Sequence, residues 1–352
     1  MFALILRTGT VLAILGAFPN AAWAQQSEPT VSIVQQWLSS GHADAQSPSF
    51  RHWEGEQAIP GTCAMCHSGE GFRDYHGFDG SVAGSIEGLI APGGVVDCAT
   101  CHNDGAAAIE RVEFPSGMNI DHPGSSATCL SCHQGRQSGG AVAAATGGIE
   151  DDTVDPGLGF INPHYAVAAA TLFGSQVGGG YQYPGKSYMT RFQHVARFST
   201  CTDCHDPHTL EVQTETCARC HGTESPRAIR TSEPDFDGDG DTATGIHTEI
   251  DGLKTMLLDA IEHYSIEVSG EQIAYVERYP YFMLAEGEEG AGSPYTAWTP
   301  RLLRASYNFA FVTGDPGAYA HNPHYALQLL YDSIVDLSAA SGAEVEIGAR
   351  PR

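Results

Sequence analysis

Hydrophobic residues recur with a helical period mainly in the last third of the chain. The segment 244–264 places six large side chains on one face of a predicted helix: Ile246, Ile250, Leu253, Leu257, Ile261 and Tyr264. Segments 299–312 and 322–337 are also predicted helices, each with a proline near its first turn, where the missing N–H costs no hydrogen bond. Little long periodic structure precedes residue 245. The pattern predicts a mainly α-helical protein with extensive coil, whose helical C-terminal region is 226–352.

The first part of the chain is rich in residues that form turns. The whole chain has 41 Gly and 19 Pro, and a Gly/Ala-rich stretch occupies 139–159. This composition is typical of an exposed loop or linker. A first part so poor in periodic structure needs another source of packing.

The N-terminus has the pattern of a secretory signal peptide, 1–24. Arg7 precedes a short apolar run, 11–18, and the sequence Ala22-Trp-Ala24 resembles a cleavage site. The run is too short to span a bilayer, and no other segment is long and apolar enough to do so. We therefore expect an exported chain that begins at Gln25 and has no membrane span after cleavage.

Five short motifs carry the chemistry. Two cysteines three positions apart, followed by a histidine, are the attachment pattern of c-type haem, in which the cysteines form thioethers and the histidine ligates iron. The pattern uses all ten cysteines and occurs as motif 1 (Cys63, Cys66, His67), motif 2 (Cys98, Cys101, His102), motif 3 (Cys129, Cys132, His133), motif 4 (Cys201, Cys204, His205) and motif 5 (Cys217, Cys220, His221). Zinc sites and disulfide frameworks do not need a histidine after every pair.

We therefore predict five covalently bound haem c groups in the region 25–225. So many haems in a chain of this length predict a haem-stapled multihaem cytochrome c, with a core built largely of stacked porphyrins. The helices of 226–352 are expected to cover the last haems, and no separate catalytic domain is required.

The net charge limits the choice of partner. The chain has 42 Asp and Glu against 17 Lys and Arg, a net charge of −25. Such an acidic protein is not expected to bind nucleic acid, because nothing would neutralise the phosphates. The charge is typical of a solvated acidic surface, or of steering toward basic partners or cations.

The second axial ligand of each iron decides what the protein can do. An iron closed by a second His or Met carries electrons, whereas an open iron can bind a substrate. The chain has 16 His, only five of them in the motifs, and just 6 Met, so bis-His ligation is expected. The candidate distal ligands are His42, His52, His164, His194, His208 and His321. His208 follows His205 by three residues and cannot reach the opposite face of the same porphyrin, so it is expected to ligate a neighbouring iron.

One phrase occurs twice. "NPHYAVAAA" at 162–170 is echoed by "NPHYALQLL" at 322–330, and in each copy Asn-Pro is predicted to open a helix with His and Tyr in its first turn. The repeat is either a common helix start or a reused way of aiming His164, and either His321 or His324, at an iron.

Several longer phrases carry a family resemblance. They are "SGHAD", "FRHW", "CATCHND", "CLSCHQGR", "NPHYAVAAATLFGSQVGGGYQYPGK", "FQHV…CTDCHDPHTLEV" and "AHNPHYALQLLYDSIVDL". Together they resemble exported bacterial multihaem c-type cytochromes, including relatives of the outer-surface and filament-forming cytochromes of metal-reducing bacteria. The resemblance implies closely packed bis-His haems that exchange electrons with respiratory partners. By motif match it favours His42, His164, His194, His208 and His321 as distal ligands.

A calcium site is a further hypothesis. The segment 235–249 starts like an EF-hand loop, with candidate ligands Asp235, Asp237, Asp239, Asp241 and Glu249. The twelfth position is Ile246, and Glu249 comes three residues late. The alternative is an acidic, flexible loop.

The leading hypothesis is an electron carrier in the periplasm or at the cell surface of a Gram-negative bacterium. Its expected partners are redox proteins, such as other cytochromes or an outer-membrane conduit, and it could also assemble into an extracellular filament. The alternative is a multihaem oxidoreductase acting on a small nitrogen or sulfur compound, which would need an open iron.

Overall fold

The fold is given by a computed structural model that describes residues 28–352. The predicted signal peptide, 1–24, lies outside the described residues. The α-helices are α1 Glu28–Leu38, α2 Pro48–Arg51, α3 Gly61–His67, α4 Gly69–His76, α5 Cys98–Cys101, α6 Asp104–Ala107, α7 Ala127–Cys132, α8 Gly139–Thr146, α9 Ala168–Phe173, α10 Thr214–His221, α11 Ile246–Tyr264, α12 Pro300–Thr313, α13 Ala318–His321 and α14 Pro323–Ser341.

Shorter elements connect these helices. Turns of 3₁₀ helix occupy Gly41–Ala43, Gly124–Ser126, Gly174–Gln176, Cys201–Asp203 and Pro226–Ala228, and a π-helical turn occupies Ser265–Ser269. The strands form two antiparallel hairpins: β1 Arg111–Glu113 with β2 Asn119–Asp121, and β3 Ile273–Tyr275 with β4 Phe282–Leu284. Coil makes up much of the remainder, so the described chain is mainly helical with extensive coil.

The two proline-led helices of the C-terminal region begin with a side-chain cap. The Thr299 hydroxyl accepts a hydrogen bond from the Leu302 amide at 3.2 Å. The side-chain oxygen of Asn322, Oδ1, accepts one from the Tyr325 amide at 3.2 Å. Each cap satisfies an amide that has no partner within its helix. These local signals explain why α12 and α14 begin close to the positions that the sequence predicts.

Helices α11, α12 and α14 pack together through their apolar faces. Leu253, Leu257 and Ile261 of α11 are fully buried, as are Leu303 of α12 and Leu330 of α14. The resulting hydrophobic cluster extends from Val112 to Leu337. Side chains therefore supply a larger core than the sequence predicts, because these three helices pack against one another directly.

The C-terminal helices also hold the middle of the chain. The Tyr181 amide donates a hydrogen bond to Asn308 Oδ1 at 2.7 Å. Asn308 Nδ2 donates one back to the Tyr181 carbonyl oxygen at 3.0 Å. The Tyr307 hydroxyl donates to the Gly179 carbonyl at 2.8 Å. All of these groups are buried, so each hydrogen bond satisfies polar atoms that water cannot reach.

The haem-motif segments contribute little to this core. The turn Cys201–Asp203 and helix α10 contain no buried residue. Near motif 1, Ile59, Ala64 and Ile90 form a separate small cluster. Motifs 4 and 5 thus lie outside the buried core, whereas Leu130 of motif 3 belongs to it.

Two local predictions are wrong. The segment 139–159, predicted as an exposed loop, begins with helix α8, whose Val142 is fully buried. Alanine has the highest helix propensity, and the Ser138 hydroxyl caps this helix. Gly139 packs so closely on the Gly180 carbonyl that a β-carbon would overlap it.

The second wrong prediction concerns the repeated phrase. Asn322-Pro323 opens α14, but Asn162-Pro163 does not open a helix, and α9 begins only at Ala168. His164 and Ala166 have φ angles of 78° and 55°, in the left-handed region, which interrupt any helix there. The same phrase therefore adopts two conformations, because tertiary contacts override the local start signal.

Candidate haem sites

Each motif lies on a short helical turn. The motifs occupy α3, α5, α7, the 3₁₀ turn Cys201–Asp203 with the two residues after it, and α10. A helical turn places residues three apart on the same side, so both thiols of a motif can reach one porphyrin edge. None of the ten cysteines is buried, and none is paired in a disulfide.

Each motif histidine faces a second histidine from elsewhere in the chain. The separations between ring centres are 5.9 Å for His67–His164, 6.1 Å for His102–His208, 6.4 Å for His133–His42, 6.4 Å for His205–His321 and 5.9 Å for His221–His194. The second members are the five histidines that the family resemblance favours. His208 faces motif 2 and not its own motif.

The ring separations match the geometry of a doubly ligated iron. A metal–imidazole bond is about 2 Å long and the ring centre lies about 1 Å beyond the nitrogen, so two axial imidazoles on one iron have centres about 6 Å apart. Direct imidazole stacking would bring the rings closer, and unrelated residues would not repeat one spacing five times. The residues present therefore fit the axial positions of haem iron.

In two motif histidines Nδ1 lies within hydrogen-bonding distance of a backbone carbonyl oxygen. This leaves Nε2 to face the space between the two rings of the pair. His67 Nδ1 lies 2.7 Å from the Ser49 carbonyl oxygen, and His205 Nδ1 lies 3.1 Å from the Leu210 carbonyl oxygen. Because a carbonyl only accepts, Nδ1 must carry the proton. Nε2 is then left with its lone pair, as in most metal-bound histidines.

Burial favours the neutral imidazole at these positions. Burial, together with His133, lowers the pKa of His42 to about 4, and burial, together with Arg136 and His67, lowers the pKa of His164 to about 4. Burial also lowers the pKa of His133 and His194. The neutral ring is the form that binds a metal, so the environment suits ligation.

Motifs 1 and 3 lie side by side. The Cys66 thiol lies 3.9 Å from the Ser131 carbonyl oxygen, and the Cys132 thiol lies 3.8 Å from the Met65 carbonyl oxygen. Interaction with the Cys66 thiol and burial both raise the pKa of the Cys132 thiol. These cysteines would hold two haems close to each other.

Motif 3 also adjoins motif 4. The Cys129 and Cys201 thiols interact with each other, and the Cys201 amide donates to the Ser126 hydroxyl at 3.2 Å. The Cys101 thiol of motif 2 is close enough to both motif 3 cysteines to interact electrostatically. Motif 3 therefore has three neighbouring motifs.

Comparison with known proteins finds similar polyhaem cytochromes. Over 370 residues the chain is 24% identical to the C-type polyheme cytochrome OmcB of Geobacter sulfurreducens, in strain DL-1/KN400 and in strain ATCC 51573/DSM 12127/PCA, covering 83% of this chain. It is 23% identical over 384 residues to the C-type polyheme cytochrome OmcC of the latter strain, covering 86% of this chain. The chain is thus similar in sequence to multihaem c-type cytochromes. It spans about half the length of these relatives, 46% in each case.

No protein-family model and no solved structure matches this chain. Within residues 28–352, no helix combines the length and the apolar character that crossing a bilayer requires.

One distal candidate is not brought to a motif histidine. His52 makes an edge contact with Trp53, at 5.0 Å between ring centres, and Trp53 lies between it and His67. His321 is the candidate that faces His205. His52 and His321 therefore occupy different environments, and of these two only His321 has a ring that faces a motif histidine.

The acidic loop brings three of its five candidate ligands together. Carboxylate oxygens of Asp235, Asp237 and Asp239 lie within 4.8 Å of one another. Burial, with the charges of Glu249, Asp239 and Asp235, raises the pKa of Asp237 to about 6. A cluster of this kind disfavours the charged form of its buried member.

The other two candidates are engaged elsewhere. The buried Glu249 forms an ion pair with Arg230 and accepts hydrogen bonds from the Phe236 amide at 2.8 Å and the Asp237 amide at 3.0 Å. The Asp241 carboxylate accepts one from the Ala243 amide at 2.7 Å. Glu249 holds the loop on α11, and so it does not serve as the twelfth ligand of an EF-hand.

Sequence reasoning missed one residue of the sites. Asp315, in the turn between α12 and α13, contacts His321 Nδ1 with both carboxylate oxygens at 2.9 Å. Although burial opposes it, the Asp315 carboxylate raises the pKa of His321. No sequence signal distinguishes Asp315 from other acidic residues, because the contact depends on the turn that places it.

Proposed function

We propose that this chain is an electron carrier with five covalent haem c groups, one for each motif, numbered as the motifs. The proposed axial pairs are His67 with His164, His102 with His208, His133 with His42, His205 with His321, and His221 with His194. The observation that carries the proposal is the separation of 5.9–6.4 Å between the two rings of every pair.

Closed irons suit electron transfer and exclude substrate binding. When both axial positions carry imidazole, a small molecule has no site on the metal, and each iron can only change its charge by one electron. The protein then sets the potential of each iron through the ligands, their hydrogen bonds and the burial of the site.

The proximity of the motifs supports a path for electrons. We propose that haems 1, 3 and 4 form a continuous series, on the strength of the neighbouring thiols Cys66 with Cys132 and Cys129 with Cys201. Haem 2 adjoins haem 3 through Cys101, and haem 5 adjoins haem 4 through the electrostatic contact of Cys204 with Cys217. Haem 3 would then be the branch point of the series.

Carbon monoxide tests the closed-iron proposal. The reduced holoprotein should bind no carbon monoxide, and the oxidised protein should give only low-spin signals in electron paramagnetic resonance. One equivalent of a high-spin haem that binds carbon monoxide rapidly would instead support the alternative, a multihaem oxidoreductase acting on a small nitrogen or sulfur compound.

We further propose that the partners are redox proteins outside the cytoplasmic membrane. The names of the similar proteins describe polyheme cytochromes, and the N-terminal sequence has the pattern of an export signal. The net charge of −25 favours basic docking surfaces and disfavours nucleic acid. Haem staining of periplasmic, outer-surface and extracellular fractions would locate the protein, and electron microscopy of the native material would reveal any filament.

Calcium binding is a separate part of the proposal. Asp235, Asp237 and Asp239 would supply oxygen ligands. Burial, with repulsion from the neighbouring carboxylates, raises the pKa of Asp237 to about 6, and a bound cation would offset both effects. Isothermal titration with Ca²⁺ tests this, with Asp239→Asn as the comparison variant. Equal and negligible heats in both proteins would refute it.

A further inference from the structure

The pair of His205 and His321 differs from the other four pairs in its hydrogen bonding. His67 and His205 direct Nδ1 to backbone carbonyls, whereas His321 directs Nδ1 to the Asp315 carboxylate. Among the described residues, no other ring of the five pairs hydrogen-bonds to a carboxylate. The contact therefore singles out one of the five sites.

The carboxylate is buried and held in place. The Asp315 side chain is 2% exposed, and its Oδ1 accepts a hydrogen bond from the Gly317 amide at 3.0 Å. Within residues 28–352, no Lys or Arg forms an ion pair with it. The His321 ring, at 2.9 Å from both oxygens, is therefore its partner, and no cationic side chain among these residues neutralises its charge.

The backbone around this contact leaves little freedom for the ring. A β-carbon on Gly317 would lie 2.6 Å from His321 Cε1, so a glycine is needed where the turn passes the imidazole. Helix α13 ends at His321 itself, and Asn322 then starts α14. The turn that presents Asp315 and the helix that presents His321 thus fix both partners.

We infer that Asp315 is a positioning and tuning residue for haem 4 and gives it a lower reduction potential than a bis-His haem without the contact. The inference rests on the proposed function, because it needs His321 to ligate the iron. A carboxylate that accepts the Nδ1 proton makes the imidazole a stronger donor, and the buried negative charge favours the oxidised iron. Both effects stabilise the ferric state.

The consequence concerns the direction of electron flow. Haem 4 lies between haem 3 and haem 5 in the proposed series. With a lowered potential, haem 4 would be reduced after its two neighbours and oxidised before them. Asp315 would thereby control exchange between haem 5 and the other four haems.

The test replaces Asp315 in the holoprotein and follows all five midpoint potentials by spectroelectrochemistry. In Asp315→Asn, which keeps an oxygen for the Gly317 amide, one potential should rise while all five haems remain attached and low-spin. The paramagnetic resonance signal of the same haem should shift, since its ligand field weakens. Asp315→Glu keeps the charge and should return the potential toward the wild-type value.

The matched control is Asp203→Asn, which removes one negative charge from motif 4 without touching an imidazole. The Asp203 carboxylate accepts a hydrogen bond from the Thr200 amide at 2.7 Å, and the side-chain oxygen of asparagine can accept the same bond. Equal potential shifts in Asp315→Asn and Asp203→Asn, or no shift in either, would overturn the inference. So would loss of haem 4 from Asp315→Asn with an unchanged potential in Asp315→Glu, because Asp315 would then have only a structural role.

Failure of the proposed function would look different. Carbon monoxide binding to haem 4 in the wild-type protein would show that His321 is not a ligand at all. A low-spin wild-type haem 4 whose potential ignores Asp315 would leave the axial pair intact and refute only the tuning.

Discussion

Replacing His208 by methionine is the most direct test of the ligand pairs. His208 lies three residues after His205, yet its ring faces His102 of motif 2 at 6.1 Å with the two planes only 13° apart. The turn that carries it does not depend on its side chain. The Asp206 carboxylate accepts hydrogen bonds from the His208 amide at 2.9 Å and the Thr209 amide at 2.8 Å, and both remain in the variant.

The expected change is confined to one haem of five. A Met/His pair has a higher potential than a bis-His pair, because thioether sulfur stabilises the ferrous iron. Axial ligands and their surroundings span about 0.8 V among haem proteins, so exchange of one ligand should raise one potential by on the order of 100 mV. For one electron this corresponds to about 2 kcal/mol.

The assay is a spectroelectrochemical titration combined with the charge-transfer band of methionine-ligated ferric haem. Haem 2 should move to higher potential while motif 4, which is adjacent in sequence, keeps its haem and its own pair. His263→Met is the control, since His263 is an exposed residue of α11. Identical titrations for wild type and His208→Met would refute the pairing, as would a change in haem 4 in place of haem 2.

Three further predictions follow from the same geometry. Intact mass spectrometry should give the chain from Gln25 plus five haems, and four haems, or haem released by acid–acetone, would contradict the motif assignment. In His321→Ala one haem should become high-spin and bind carbon monoxide, whereas His52→Ala should bind none; the reverse result would make His52 the ligand. Without added calcium, the folded-state pKa of Asp237 lies near 6 against 3.8 for the free group, so protonation stabilises the fold, and stability should fall as pH rises through this interval. Asp237→Asn should lose that part of the pH dependence in thermal unfolding, and parallel curves for the two proteins would argue against it.

The sequence alone predicts the features that depend on residues close together in the chain. The five motifs, and the helix starts at Thr299 and Asn322, are readable because each depends on residues within one turn. The apolar face of 244–264 likewise matches the buried side of α11. In each case the pattern and the structure depend on the same short stretch.

The features that the sequence did not predict depend on contacts between residues far apart in the chain. Whether His52 or His321 faces a motif histidine depends on a turn more than 100 residues away from motif 4, and the ring distance to His205 adds to the motif match in favour of His321. The glycines of 139–159 favour a loop, although the alanines and the Ser138 cap favour helix α8, and the burial of this helix depends on the non-local contact of Gly139 with Gly180. Asp315 was missed for the same reason, since its role exists only once the turn between α12 and α13 has formed.

The proposed histidine pairs have a consequence for how the chain would mature after export. In four of the five pairs the two histidines are separated by roughly 100 residues, a loop length at which a covalent closure removes about 4.7 kcal/mol of unfolded-state entropy. Export runs from the N-terminus, so His67 emerges well before His164, and His205 well before His321. The haems of motifs 1, 2 and 4 would therefore keep one face open until their distal histidines emerge, whereas His42 emerges before motif 3. Errors of assembly would then be exchanged ligands and not lost haems. The pair His221–His194, which spans the shortest loop, needs no such wait and could serve as the first fixed point of the fold.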